Sequence, residues 1–448
     1  MYLIYSMVLG LGLAALTPWL LLRNPPDGRY TRYLGERFGR VGGVGGRGTI
    51  WLHAVSVGEA LAVERLIAQL RQRFPARAVV LSVTTATGRS VAERRIEADR
   101  IFYFPLDFRF AARRALRAIQ PELVLIAETE IWPNFLREAA LQQVPVMFIN
   151  GRISGRSYAR YRMIRRLLRP TLGRVASFLM QTETDAERIL DLGADAARVQ
   201  VAGNLKFDLI PPEQPGFLRG LRERLAGAGV GQVVVAGSTM ETEEEAVLAA
   251  YRQVLGQAAA PERLLLVVAP RHPQRFEQVA ALLAGSGLRW ARRSRLEEQE
   301  LPAGGVLLLD SLGELASVYQ VAATAFIGGS LAPHGGHNLL EPAYWGVPVV
   351  LGPHMENFAQ IAEQFLAAGA ALRVGSALEL GHVWQQLLND EAMRARVGGA
   401  ARRLLESQRG ATGRALEAIE AALRPMAAAE RVDSEEWTGD GGPQKAGE

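Results

Sequence analysis

The feature that most constrains the fold is an alternation of short apolar runs with amphipathic stretches, and it occurs twice. The first series is "TIWLHAV" from Thr49, "AVVLSVT" from Ala78, "IFYF" from Ile101, "LVLIAE" from Leu123, "VPVMFIN" from Val144 and "SFLMQT" from Ser177. The second is "QVVVAGS" from Gln232, "LLLVVAPRH" from Leu264, "GVLLLD" from Gly305, "TAFIGGS" from Thr324 and "VPVVLGP" from Val347. Apolar runs without strict alternation suit strands covered on both faces, as in the parallel sheets of α/β proteins. Between the two series lies "FDLIPPEQPGF", Phe207 to Phe217, whose prolines read as a linker. A chain of 448 residues is also too long for one ordinary core. The expectation is an α/β protein of two Rossmann-like domains facing an interdomain cleft, with ligands at the carboxyl ends of the strands.

The expected boundaries are a membrane-anchor helix over 1–22, a first domain over 23–208, a second over 209–425 and a disordered tail over 426–448. The last helices of the second segment are left open to pack back on the first domain. The anchor rests on "MYLIYSMVLGLGLAALTPWLLL", which carries no charge from Met1 to Leu22. Its length suits a span or a deeply inserted helix, and no basic segment precedes it as in a secretory signal. Arginines 23, 29, 32, 37 and 40 follow. For a spanning helix they would hold the rest of the chain on the cytoplasmic side. The competing reading is a packed helix of the first domain. The tail is polar and rich in glycine and charge. The absence of cysteine rules out disulfides and thiolate metal sites. A net charge of +5 directs the chain toward anionic partners without choosing among phosphate, nucleotide, acidic lipid and nucleic acid.

Several strand ends carry residues suited to chemistry. In "HAVSVGEALAVERL" a strand gives way to a helix with Glu59 in its first turn, where the helix dipole favours the ionised form. A structural turn and a catalytic one fit that spacing equally. "LVLIAETE" ends in Glu128 and Glu130, carboxylates that need a partner or a task beside a buried strand. "GNLKFD" places Lys206 at the linker, where a plain solvated lysine is the default. "APRHPQRF" puts Pro270 and Arg271 at a strand end, and an arginine there can hold a phosphate. "DSLGELASVY" offers Leu312, Gly313 and Glu314 at a helix start, with an ordinary cap equally consistent. In "GGSLAPHGGHNLLEPA" a glycine-rich loop leads to Asn338, Leu339, Leu340 and Glu341, so that backbone can approach a ligand and a helix N-terminus can meet phosphate. His334 and His337 lack the further ligands a metal site needs. No D-x-D pair, G-x-G-x-x-G fingerprint or Walker loop is present, which weakens metal-diphosphate, oxidoreductase and NTPase readings.

Taken in order, "YLGERFG", "SVGE", "ETEIWPN", "GNLKFD", "APRHPQRF", "GGSLAPHGGHNLLEPA" and "GPHMENF" resemble the signature stretches of the 3-deoxy-D-manno-octulosonic acid (Kdo) transferases. The resemblance runs over about residues 1–425. It implies a two-domain GT-B glycosyltransferase on the cytoplasmic face of the bacterial inner membrane. Such an enzyme moves Kdo from CMP-Kdo to the lipid A precursor with inversion, without a metal or another cofactor, and nucleic acid is not a partner. By the same resemblance Glu59 is the proton acceptor, and Glu128 and Lys206 stabilise the transition state. Pro270, Arg271, Leu312, Gly313, Glu314 and the stretch Asn338, Leu339, Leu340 and Glu341 contact CMP. Arg32, Arg37, Arg152 and Arg156 are assigned to the acceptor's phosphates on charge and placement alone. Glu36 is expected in an ion pair with an arginine. A transferase using a UDP-sugar and another lipid acceptor is the alternative.

Overall fold

The computed structural model describes residues 2–22, 33–44, 48–211 and 214–436. The chain divides into two compact units, one of residues 1–208 with 409–448 and one of residues 209–408.

The first unit holds seven parallel strands: β1 (Thr49–Ala54), β2 (Ala78–Val83), β3 (Arg100–Tyr103), β4 (Pro121–Ala127), β5 (Val146–Gly151), β6 (Ser177–Met180) and β7 (Val199–Val201). Their order is β3-β2-β1-β4-β5-β6-β7. β1 and β2 are buried along their whole length, as strands covered on both faces must be. One face packs Leu52, Leu81, Leu125 and Ile149 against the helix Val57–Arg73 and the final helix Ala411–Glu436. The other stacks Trp51, Phe102, Phe104 and Phe135. The final helix is tied in by the Asp208 carboxylate, which accepts from the amides of Gly410 (2.6 Å) and Thr412 (2.5 Å). Its backbone is helical to Glu436, and 437–448 lie outside the described residues.

The second unit repeats the plan with β8 (Gln232–Thr239), β9 (Leu264–Pro270), β10 (Trp290–Arg292), β11 (Val306–Leu308), β12 (Ala322–Ile327), β13 (Val349–Leu351) and β14 (Ala371–Arg373). The order is β10-β11-β9-β8-β12-β13-β14. In each sheet the strand order reverses once, between β1 and β4 and between β8 and β12. A doubly wound sheet opens a crevice at that point, beyond the carboxyl ends of the two strands.

The N-terminal segment is a helix over Tyr2–Leu22. Among the described residues no helix is long and apolar enough to cross a membrane, so the expected anchor is not supported as a span. The physical reason lies in how the helix is held. The Tyr5 hydroxyl bonds the Asp107 carboxylate, and the Asn134 side-chain amide donates to the Ser6 hydroxyl (3.0 Å). Arg174 donates to the Tyr2 hydroxyl (3.3 Å), and Arg137 stacks on its ring at 4.9 Å. Asp107 in turn caps the helix Pro133–Leu141 by accepting from the backbone amides of Asn134 and Phe135. Burial pushes its carboxyl up to about 7. Met7, Val8 and Leu11 lie exposed on the remaining surface of the N-terminal helix.

Candidate active site

In the first unit the switch point is built from the residues that follow β1 and β4. Ser56 caps the helix Val57–Arg73, accepting from the Glu59 amide (3.3 Å) and donating to one Glu59 carboxylate oxygen (2.9 Å). The other oxygen accepts from the Val55 amide (2.8 Å). This is a capping box, and it fixes the carboxylate at the crevice. The sequence argument favoured ionisation through the helix dipole. The structure reverses the direction: burial, and then the Glu128 charge, raise the Glu59 carboxyl above its ordinary value.

Glu128 follows β4 with φ of 55°, a left-handed conformation that a side chain adopts at a cost. Its amide donates to the Ile149 carbonyl (2.9 Å), and the next residue, Thr129, accepts from the Arg152 amide (2.9 Å). Glu130 is pushed up to about 7 by burial, then by Glu59 and Glu128. Lys206 lies in the short turn Leu205–Asp208. Burial lowers its ammonium pKa, opposed by Glu128 and Glu59 and reinforced by Arg152. The fold therefore gathers Glu59, Glu128, Glu130, Lys206 and Arg152 in one electrostatically coupled group.

Sequence reasoning missed what holds Lys206 there. Asn150, with φ of 54°, accepts from the Leu205 amide (3.0 Å), and Asn204 accepts from the Lys206 amide (3.0 Å). Gln181 bridges the two, donating to the Asn150 carbonyl and accepting from Asn204. These amides come from three separate strand ends, and no local motif joins them. His53, by contrast, is a core residue. It stacks on Phe104 at 3.9 Å, meets Ser82 through Nδ1, and is driven down to about 3 by burial. Glu36 pairs with Arg89 (2.6 Å) and accepts from the Tyr103 amide. Of the arginines assigned to the acceptor, Arg37 donates to the Thr84 carbonyl (2.8 Å) and lies over Tyr103. Arg156 is exposed, Arg152 is half-buried near Lys206, and Arg32 lies outside the described residues.

The second unit places Pro270 at the end of β9 and Arg271 just beyond it, exposed, its amide on the Thr239 carbonyl (3.0 Å). Leu312 is exposed, Gly313 has φ of 83°, and Glu314 is buried in an ion pair with Arg293 (2.7 Å). Leu339 and Leu340 are fully buried, so only their backbone can meet a ligand. Asn338 accepts from the Leu340 amide (3.1 Å) and donates to Glu341 (3.2 Å). The helix there spans only Leu340–Tyr344.

Ahead of the glycine-rich loop, the backbone amides that follow β12 are already occupied. Glu243, 1% exposed, accepts from the amides of Gly329 (2.6 Å), Leu331 (2.9 Å) and Ala332 (3.2 Å). It also accepts from Met240 (2.9 Å). A carboxylate from another element thus holds these three amides, which precede the Asn338–Glu341 stretch that the sequence assigns to the nucleotide. Among the described residues no three His, Cys, Asp or Glu side chains gather as a metal-ligand set.

Comparison with known proteins agrees with this organisation. The family described as 3-deoxy-D-manno-octulosonic-acid transferase (kdotransferase) matches residues 32–209. A Kdo transferase of Bordetella pertussis is 37% identical over 93% of this chain and 98% of its own length. One from Haemophilus influenzae is 35% identical over 87% and 91%. Among solved structures, a putative UDP-N-acetylglucosamine 2-epimerase from Listeria monocytogenes shares the fold. It has a TM-score of 0.53 at 17% identity, over 84% of this chain and 96% of that one. Two parallel doubly wound units of GT-B character, and this degree of identity along nearly the whole of known relatives, lead to one conclusion: the chain is a glycosyltransferase and belongs to the Kdo transferase family.

Proposed function

We propose that the chain transfers Kdo from CMP-Kdo to a sugar hydroxyl of the lipid A precursor with inversion, Glu59 acting as general base. The observation that carries this reading is the coupled group at the first switch point. A base must be able to gain a proton, and Glu59's burial moves its affinity toward neutrality, where general-base catalysis is efficient. Glu59 removes the acceptor's hydroxyl proton as that oxygen attacks C2 of Kdo. The bond from C2 to the phosphate oxygen breaks, and CMP departs with the electron pair. Glu128 balances positive charge developing on the sugar, and Lys206 balances the charge of the departing phosphate. Arg271, Gly313, Glu314 and the stretch Asn338–Glu341 contact the nucleotide. The lack of a D-x-D pair supports transfer without a metal. The test is turnover in the presence of EDTA with CMP-Kdo and, in parallel, with UDP-sugars. Transfer from CMP-Kdo alone supports the reading, and transfer from a UDP-sugar alone overturns it.

Membrane association is part of this proposal, in a form other than a span. The apolar residues Met7, Val8 and Leu11, with Met163, Ile164 and Leu167, are exposed on the first unit. The helices Gly155–Met163 and Arg165–Leu172 add Arg156, Arg160, Arg162, Arg165 and Arg166. Apolar residues with basic neighbours suit one leaflet of an anionic bilayer. Replacing Met7, Val8 and Leu11 with Asp should abolish sedimentation with anionic vesicles. Undiminished sedimentation would contradict this surface.

A further inference from the structure

The segment that carries Lys206 is fastened at both ends by residues from the far end of the chain. On its near side, the Arg414 guanidinium donates through Nε to the Ala202 carbonyl (2.8 Å). On its far side, the buried Asp208 carboxylate accepts from the amides of Gly410 (2.6 Å) and Thr412 (2.5 Å), 202 and 204 positions away. Each carboxylate oxygen takes one amide, so Asp208 caps the helix Ala411–Glu436 from outside it. Gly410 has φ of 95°, and a Cβ there would fall 2.9 Å from an Arg414 nitrogen. A side chain at that position would press on the guanidinium that holds Ala202.

The same turn is joined to the helix of Glu59. The Asp208 carbonyl accepts from the guanidinium of Arg65, on the helix Val57–Arg73 that carries Glu59 in its first turn. Leu205 belongs to the same core cluster as Ala60 and Val63 of that helix and Ala411 and Ala415 of the final one. Leu205, Phe207 and Asp208 are buried, and Lys206 is the half-buried member of the turn. The root of its flexible side chain is therefore fixed by the fastenings on either side.

We propose that Asp208, with Arg414, is a positioning residue: it locks the Lys206 turn to the start of the final helix and so fixes the point from which Lys206 reaches the departing phosphate. This rests on the Kdo-transfer reading above. An ordinary cap comes from the residues beside its own helix. This one comes from the turn that bears Lys206, and the same residue binds the Glu59 helix. Freed at either end, the turn would hold Lys206 in fewer productive positions and open it to more water. The rate then falls while donor affinity is kept, because the groups assigned to the nucleotide lie in the second unit.

The experiment compares full-length wild type, Asp208→Asn, Arg414→Ala, Lys206→Met and the double variant of Asp208→Asn with Lys206→Met. Asparagine keeps one acceptor oxygen and turns its NH2 toward the other amide, so the cap is weakened rather than removed. Asp208→Asn should lower kcat by about tenfold or more, with the KM for CMP-Kdo within about threefold. The falling limb of its pH profile should move up, since Lys206 loses part of the burial that lowers its pKa. In the Lys206→Met background the same change should alter kcat by no more than about twofold, because the residue it acts through is gone. Arg414→Ala leaves the Asp208 cap in place and should reproduce both the fall and the shift. Hydrogen exchange over residues 204–208 should quicken in both variants, in protein that still melts cooperatively. A kcat loss that multiplies with that of Lys206→Met, an unmoved limb or unchanged exchange would overturn the positioning role. Wild type that transfers no Kdo would instead overturn the transfer reading on which it rests.

Discussion

Replacing Glu59 with glutamine separates its two roles. Structurally, the Glu59 carboxylate closes a capping box by accepting from the Val55 amide and the Ser56 hydroxyl, while its own amide donates back to Ser56. Glutamine keeps one acceptor oxygen but turns its NH2 toward a donor, so about one of these bonds is lost. Comparable changes at helix caps cost roughly 0.5–2 kcal/mol. A protein with about 5–15 kcal/mol of stability remains folded after such a loss. Chemically, a positioned base contributes about 10²–10⁴ in rate, equivalent to roughly 2.7–5.4 kcal/mol. Catalysis and stability should thus fall by clearly different amounts. The assay is single-turnover Kdo transfer at saturating donor, with thermal melting of the same sample and CMP binding measured alongside. The expected outcome is a rate reduced at least about a hundredfold, with the melting temperature lowered by a few degrees and CMP affinity unchanged. A Glu59→Gln variant that transfers within about tenfold of wild type would refute the base assignment, leaving Glu59 as a helix cap alone.

The pH profile of kcat/KM should be bell-shaped. Its rising limb should lie above the ordinary carboxylate range because the Glu59 pKa is raised, and its falling limb below the ordinary lysine value because that of Lys206 is lowered. The apparent values belong to the coupled group, so Glu59→Gln should remove the rising limb, and a profile with that limb intact would count against it. Lys206→Arg keeps a cation that does not titrate in the working range, so it should flatten the falling limb, and Lys206→Met should cost kcat more than KM. Glu243→Ala leaves three loop amides and that of Met240 without their acceptor, which should lower stability by about 1–3 kcal/mol or more and weaken donor binding. Unchanged melting and donor KM would show that the loop does not depend on it.

How much of this was legible in the sequence differs by level. The central strands were, because burial on both faces writes unbroken apolar runs such as "TIWLHA" and "LLLVVAP". β7, β10 and β14 were not. Each is three residues long and lies at the edge of its sheet, where partly exposed positions break the apolar run that would mark it. Glu59 could be singled out from its place after a strand, but not the direction of its pKa. The local helix argument omits burial and Glu128, which lies 69 positions away and meets it only in the folded sheet. What braces the segment before the glycine-rich loop was hidden for the same reason. The glycines announce close backbone approach, but the carboxylate that holds the amides after β12 comes from Glu243, 86 positions before Gly329. The N-terminal helix was read from its apolar composition, whereas Tyr2, Tyr5 and Ser6, polar groups of its first turns, fasten it to the domain.

The central claim, Kdo transfer from CMP-Kdo to the lipid A precursor, is tested most directly by the mass of the product. Full-length protein incubated with both compounds in EDTA should yield an acceptor heavier by one or more whole Kdo residues, with CMP released in equal number. An acceptor of unchanged mass, with the same protein active on a UDP-sugar, would contradict it.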